Sequence, residues 1–389
     1  SLVDEATYQE AKKIQDKKIS DAQNEKNYLS TLFAQTTKAD KSIQKQLAKE
    51  VYTPDELGTI TSNDTLVQKS KAFIQRMFSY GLPIADLKVE LQKEIDSKEE
   101  LLKQSSADID YRKVLGDNPN DITDTKYGNN NVIGPDKKEA LHGTHVAGIV
   151  AQLRNNNIGG DGIANNVEIL TVRAVPDGDE YDKDIALAIR YAVDNGAKVI
   201  NGSFGKAFSP QKNWVFDAIK YAASKDVLIV HAAGNDAKNI DFFDNFPNDS
   251  EDRKTEISDN LITVGALNFE YDKNIAARFS NIGKINVDVF APGVKIYATV
   301  PDNNYRFLQG TSMAAPNVAG VAALIRSYYP KLTASQVKHI LMDSGVAINM
   351  DVVVGGNPKD IRPFSDLSKT GKIVNAYNAI LMANKLARK

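Results

Sequence analysis

A chain of 389 residues has room for two or three ordinary domains, or for one large domain carrying an insertion. Its 48 Lys and Arg against 50 Asp and Glu leave a formal net charge of -2, without the global basic field that nucleic acid or an anionic membrane surface would require. A 42% hydrophobic fraction suits a globular protein, no apolar run approaches the roughly 20 residues of a membrane span, and the absence of cysteine removes disulfides, thiolate metal sites and a cysteine nucleophile.

The chain opens Ser-Leu-Val-Asp-Glu without an initiator Met or an apolar signal core, so any export signal is expected to have been removed before Ser1. Residues 1–104 are rich in Lys, Glu, Gln and Asp and nearly free of Gly. Ile14, Ile19, Ala22, Tyr28, Leu29, Leu32 and Phe33 recur at helical spacing. This predicts a helical arm broken at Thr53-Pro54-Asp55, at Thr61-Ser62-Asn63-Asp64 and at Gly81-Leu82-Pro83, with helices over 64–80 and 84–104. Residues 105–138, dense in Gly, Pro, Asn and Asp, predict an irregular connector. From 139 to 389 the texture alternates. A strand is expected over Val167–Val172, a helix over 184–194, a strand over 198–200, a helix over 210–224 and a strand over 227–230. That order implies a parallel sheet with helices on its faces.

Three segments of this second part place a reactive residue among small ones: Leu141-His142-Gly143-Thr144-His145, Val230-His231-Ala232-Ala233-Gly234-Asn235, and Gly310-Thr311-Ser312-Met313-Ala314-Ala315-Pro316 ahead of a helix over 313–327. A Ser at a helix N-terminus has an amide and the helix dipole to offer a developing oxyanion, an Asn side chain adds a second donor, and a His can take the hydroxyl proton. Each residue alone has an ordinary structural reading: helix cap, turn residue, packed imidazole. Together they compose an acyl-transfer site. His145 and His231 are expected to pack rather than react, and with no HExxH pattern the spacing of His142 and His145 is not read as a metal site.

In this order the segments resemble the signature motifs of the subtilisin-like serine proteases (subtilases), a likeness that runs through VINGSFG, VLIVHAAGN, ITVGAL, VDVFAPGV and GTSMAAPNVAG. The resemblance implies an α/β fold, a doubly wound and mostly parallel sheet with helices on both faces, with the helical N-terminal part as an insertion. It also implies serine endopeptidase activity, with His142 as general base, Ser312 as nucleophile, and Asn235 with the Ser312 amide as the oxyanion hole. Ser203, Phe204 and Gly205 and, opposite them, Ala232, Ala233 and Gly234 would wall the primary specificity pocket. Extended substrate would pair with an edge near Gly178, Asp179 and Glu180.

The triad Asp of the family ends an apolar strand upstream of the His, and no such strand is legible here. Asp110, 32 residues before His142, is the in-chain candidate, but its setting Ser-Ala-Asp-Ile-Asp-Tyr-Arg is too polar for a buried strand. The reading adopted places the Asp upstream of Ser1, on an N-terminal fragment that stays bound as a complementing strand. Residues 1–135 are then a long helical insertion such as a bacterial subset of the family carries. The expected partners are this fragment and a peptide or protein substrate, and the expected location is outside the cell, at its surface or in the periplasm. The rival reading is a catalytically silent subtilase-fold scaffold that binds a partner through the helical arm. No cofactor is required. The acidic run Asp177, Asp179, Glu180, Asp182, Asp184 can be a solvated loop, an attraction for basic substrates or a structural calcium site, although its spacing matches no EF-hand loop.

Overall fold

A computed structural model describes residues 5–78, 83–106, 111–176 and 180–388. Two compact units make up the chain, Ser1–Val114 and Leu115–Lys389. Asp110, Gly178 and Asp179 lie outside the described residues.

The first unit contains helices α1 (Glu5–Leu47), α2 (Pro54–Gly58), α3 (Thr65–Phe78) and α4 (Ile84–Ser106). The polar break after α1 ends in a capping box: the Thr53 side chain accepts from the Glu56 amide, the Glu56 carboxylate accepts from the Thr53 amide, and Pro54 takes the first helical position. Asp64 starts α3 by accepting from the Leu66 amide at 2.7 Å. Ion pairs Lys26–Glu99 and Asp40–Lys88 show that α1 and α4 run antiparallel, since one number rises as the other falls. Ile43, Leu57, Ile74 and Met77 are fully buried between the helices, the apolar stripes that the helical spacing anticipates.

The second unit begins its regular structure with α5 (Leu141–Ala151) and α6 (Asp182–Asp194), followed by β1 (Val199–Gly202), α7 (Lys212–Ser224), β2 (Leu228–Ala232), β3 (Leu261–Leu267), β4 (Val289–Pro292) and the hairpin β5 (Ile296–Val300) with β6 (Asn304–Leu308). Then come α8 (Thr311–Tyr328), α9 (Ala334–Asp343), β7 (Val346–Ala347), the hairpin β8 (Asp351–Val354) with β9 (Asn357–Pro363), β10 (Lys372–Ile373) and α10 (Ala376–Ala387). Six strands form one sheet in the order β1-β2-β3-β4-β10-β7, parallel except for β7. Alternate residues feed opposite cores. Leu228, Val230, Ile262 and Val264 join α8 and α9 on one face, while Ile229 and Leu261 join α6 and α7 on the other. The fold class is the one the resemblance implies.

One expected strand is absent. Val167–Val172 forms no ladder, and Ile169 and Leu170 are 47% and 43% exposed. An apolar run becomes a parallel strand only where a neighbour takes up its N–H and C=O groups, and no described strand lies beside it. β1 is accordingly an edge strand, with Val199, Ile200 and Asn201 only half-buried.

The loop after β2 is held by a buried cation. Lys338 of α9, 1% exposed, donates to Glu256 at 2.6 Å and lies 3.6 and 3.9 Å from Asp259 and Asp249. Burial nonetheless pushes the Asp249 carboxyl up to about 7, against the pull of Lys338. Removing a buried partner leaves its carboxylates uncompensated, so Lys338→Ala is expected to lower the unfolding free energy by about 3 kcal/mol. Lys359→Ala, at an exposed position, should change it by less than about 0.5 kcal/mol. Denaturant titration of both variants measures the contrast, and equal small effects would mean that Lys338 does not hold this loop.

Candidate active site

One of the three reactive segments, that of Asn235, and one predicted pocket wall follow strands of the main sheet. β1 runs into Ser203-Phe204-Gly205 and β2 into Ala233-Gly234-Asn235, so both sit at the carboxyl ends of adjacent parallel strands, where such sheets carry their sites. Ser312 is the second residue of α8, among the first amides of the helix, which have no intrahelical acceptor.

The start of α8 is fixed by Thr311, which is fully buried. Its amide and hydroxyl both donate to Asn235 Oδ1, at 2.8 and 2.9 Å, and the hydroxyl oxygen accepts from the Gly234 amide at 3.1 Å. A backbone N–H can only donate, so the Asn235 atom facing it must be the oxygen, and Nδ2 points the other way. Nδ2 makes no hydrogen bond among the described residues. Gly310 supplies the remaining geometry. Its φ is +149°, and a Cβ built on it would lie 3.6 Å from both Asn235 Nδ2 and the Ser312 amide nitrogen. Two uncommitted donors thus border the space beside Gly310, whose positive φ favours glycine.

Pro316 has no N–H to give the Ser312 carbonyl four residues earlier, and the Ser203 hydroxyl donates to that carbonyl at 2.8 Å instead. Ser312 Oγ in turn donates to the Ser203 carbonyl at 3.2 Å, and Asn201 Nδ2 donates to Ser203 Oγ at 2.9 Å. The wall segment and the reactive helix are therefore bonded reciprocally. Asn317 donates to the carbonyls of Met313 and Pro292, both at 3.0 Å.

His142 lies in the first turn of α5 and is exposed by surface area, although protein packed around its ring pushes the imidazole below its ordinary range, with a smaller push from His145. No carboxylate among the described residues offsets this. No described hydrogen bond joins His142 to Ser312; catalytic bonds of this kind are often long in unliganded sites. His145 is fully buried, and its Nε2 meets the carbonyls of Ile296 and Arg306 at 3.1 and 3.0 Å, so that nitrogen carries the proton and pins α5 to the β5–β6 hairpin. His231 donates from Nε2 to the Phe204 carbonyl at 2.8 Å and holds the wall to β2.

The acidic run is largely committed to the fold. Asp182, buried, accepts from Ser209 at 2.6 Å and the Gln211 amide at 2.8 Å and pairs with Lys206 at 2.7 Å. Asp184 accepts from Tyr127. Glu180 Oε1 accepts from the Gly205 amide at 3.1 Å, and the Glu180 carbonyl accepts from Lys206, which ties the rim to the pocket wall. Among the described residues no three carboxylates or histidines converge as metal ligands. The sequence did not reveal Thr311, Gly310 or Asn201 as parts of the site; the small residues around Ser312 were the available signal.

The sequence profile of the subtilase family matches residues 59–369. The chain is 44% identical over 187 residues to a thermophilic serine proteinase of Bacillus sp. (strain AK1), covering 48% of this chain and 42% of that protein. It is 39% identical over 216 residues to subtilisin DY of Bacillus licheniformis, covering 54% and 71%. Against a cell wall-associated protease of Bacillus subtilis (strain 168) the identity is 31% over 293 residues, covering 74% and 30%.

Burial pushes the His231 imidazole down to about 4, from an unfolded value of about 6.5. The unfolded chain takes up this proton first as pH falls, so the stability associated with His231 is complete above about pH 6.5 and is lost on the way to pH 4. Between pH 7 and 4 the wild type is expected to lose on the order of 3 kcal/mol more than His231→Gln, whose amide can still donate to Phe204. Equal losses in parallel urea titrations would show that His231 does not carry this sensitivity.

Proposed function

The chain belongs to the subtilase family, and on that premise we propose that it is a serine endopeptidase whose orienting carboxylate arrives on a separate strand beside β1. The observation that carries the hydrolytic reading is the convergence of Asn235 Nδ2 and the Ser312 amide on the space beside Gly310. In the reaction, Ser312 Oγ leaves its bond to Ser203 and attacks the scissile carbonyl while His142 takes its proton. The carbonyl oxygen becomes anionic as its π electrons move onto it, and the two donors and the N-terminal dipole of α8 stabilise it. Collapse expels the amine, which receives the proton from His142 and leaves an acyl-Ser312 ester. Water, activated by the same imidazole, hydrolyses the ester. The acyl side of the peptide lies between the walls Ser203–Gly205 and Ala232–Gly234, along the rim at Glu180.

The separate strand is supported by three features of the second unit. β1 has a strand neighbour on one side only, the apolar run Val167–Val172 forms no ladder, and Asn201 Oδ1 on β1 is buried without a hydrogen-bond partner among the described residues. A fragment that pairs with β1 and carries an Asp at the end of an apolar run would satisfy the edge and set the tautomer of His142. The lack of any described carboxylate acting on His142 equally suits a catalytically silent scaffold, and this is the alternative the experiments must separate. Likeness to a cell wall-associated protease supports an exported location, and no helix among the described residues is long and apolar enough to cross a membrane.

Ser312→Ala is expected to abolish cleavage of a fluorogenic peptide. Asn235→Ala should lower kcat about 10²- to 10³-fold, the loss found for one such donor in subtilisin itself, with little change in KM. Undiminished turnover in either variant would overturn the reading. The pH profile tests the carboxylate. Burial holds His142 below the ordinary imidazole value, so without a carboxylate the base takes up its proton at lower pH than a free imidazole does; a carboxylate placed beside it raises its pKa. The acid limb of kcat/KM should therefore move to higher pH when a strand carrying Asp is supplied in place of one carrying Asn, and a limb that does not move would argue against such contact.

A further inference from the structure

The walls that hold the acyl side follow β1 and β2, so an extended chain that crosses Ser312 continues over the carboxyl ends of β3 and β4. A cleft of about 370 Å³ opens there. Asn268, Asn274, Arg278 and Phe279, all from the segment after β3, line it together with Gln309, which directly precedes Gly310, and Val353 of β8. The hairpin β8–β9 is fastened at this place: the Val353 amide donates to the Lys273 carbonyl at 2.7 Å. Gly356, at φ +69°, lets the hairpin turn abut Arg278, because a Cβ there would lie 3.2 Å from the Arg278 Cβ.

The polar groups of the cleft divide into committed and free. Asn268 and Asn274 hold their own turn: Asn268 Nδ2 donates to the Asn274 carbonyl at 3.5 Å, and the Asn274 amide donates to Asp272 at 2.7 Å. The Asp272 carboxylate is thereby turned to its own loop. Arg278 is the one formal charge in the lining, and among the described residues neither its guanidinium nor the Gln309 carboxamide makes a hydrogen bond or ion pair. A planar fork of donors is matched by a carboxylate, and an amide beside it adds a further donor. Phe279, Val294 and Val353 give an apolar surface for the methylenes of a glutamate.

We propose that this cleft binds the leaving-group side of the peptide and that Arg278 selects an acidic side chain within the first three residues after the scissile bond, an inference that rests on the peptidase reading of Ser312. Its test is equilibrium binding, which needs no turnover. The full chain carrying Ser312→Ala is titrated into alanine-based hexapeptides, labelled at the C-terminus, in which Glu, Gln or Lys is walked through the first three positions. At one position Glu should bind roughly 10-fold more tightly than Gln, or about 1.4 kcal/mol, with Lys weaker than Gln. Arg278→Ala should erase the preference, and Arg278→Lys, a point charge without the fork, should keep part of it. Equal binding of Glu and Gln at every position, an advantage that survives Arg278→Ala, or no binding by any peptide overturns the proposal. If the acidic preference is found while the unmutated chain cleaves no peptide in its native preparation, the peptidase reading fails and the anionic subsite stands.

Discussion

The hydroxyl of Thr311 is the joint on which the site depends. It is buried, so its donor and acceptor capacities must both be met within the protein. Asn235 Oδ1 and the Gly234 amide meet them. That pairing fixes three things together: the first turn of α8, the chain leaving β2, and the direction in which Asn235 Nδ2 points. Ser312 follows Thr311 in the helix and inherits its position. The reciprocal bonds between Ser203 and Ser312 extend the same frame to the end of β1. A hydrolytic site needs donors aimed at a place where charge will develop, and here their aim is set by buried hydrogen bonds rather than by the reactive side chains.

The sheet gives this frame its rigidity and also its asymmetry. β2, β3 and β4 are buried on both faces, and their ends do not shift without disturbing two cores. β1 lies at the edge, yet it carries Asn201 and leads into Ser203, both bonded into the network. The pocket wall that is bonded to Ser312 therefore hangs from the least supported strand of the sheet. An edge strand that carries a buried amide oxygen without a partner among the described residues is what a parallel sheet would show where a neighbour is supplied by another polypeptide.

Much of this was legible in the sequence, for local reasons. The helical spacing of the first 104 residues, the alternation of apolar runs and helices beyond 139, and the small residues around His142, Asn235 and Ser312 all reflect constraints that act within a few positions. What was misread depends on distant partners. Val167–Val172 has the composition of a strand, but a ladder needs a neighbour that composition does not report. Asp182 and Asp184 look like a charged rim, and only the fold brings Ser209, Gln211 and Tyr127 to them. The role of Thr311 was hidden because its partner lies 76 positions away. The β8–β9 hairpin was missed although Gly355-Gly356 is an ordinary signal for a two-residue turn, because the run Val352–Val354 is too short to stand out.

The central claim is that Ser312 is a working nucleophile completed by a second polypeptide. Phosphonylation of the native preparation with a fluorophosphonate, followed by intact mass analysis of every polypeptide present, tests it most directly. The expected result is one adduct on this chain, at Ser312, together with a smaller co-purifying fragment in which an Asp ends an apolar run. Rapid labelling at Ser312 with no second polypeptide would contradict the complementing strand, and a native sample that contains the fragment but takes no label would contradict the enzyme.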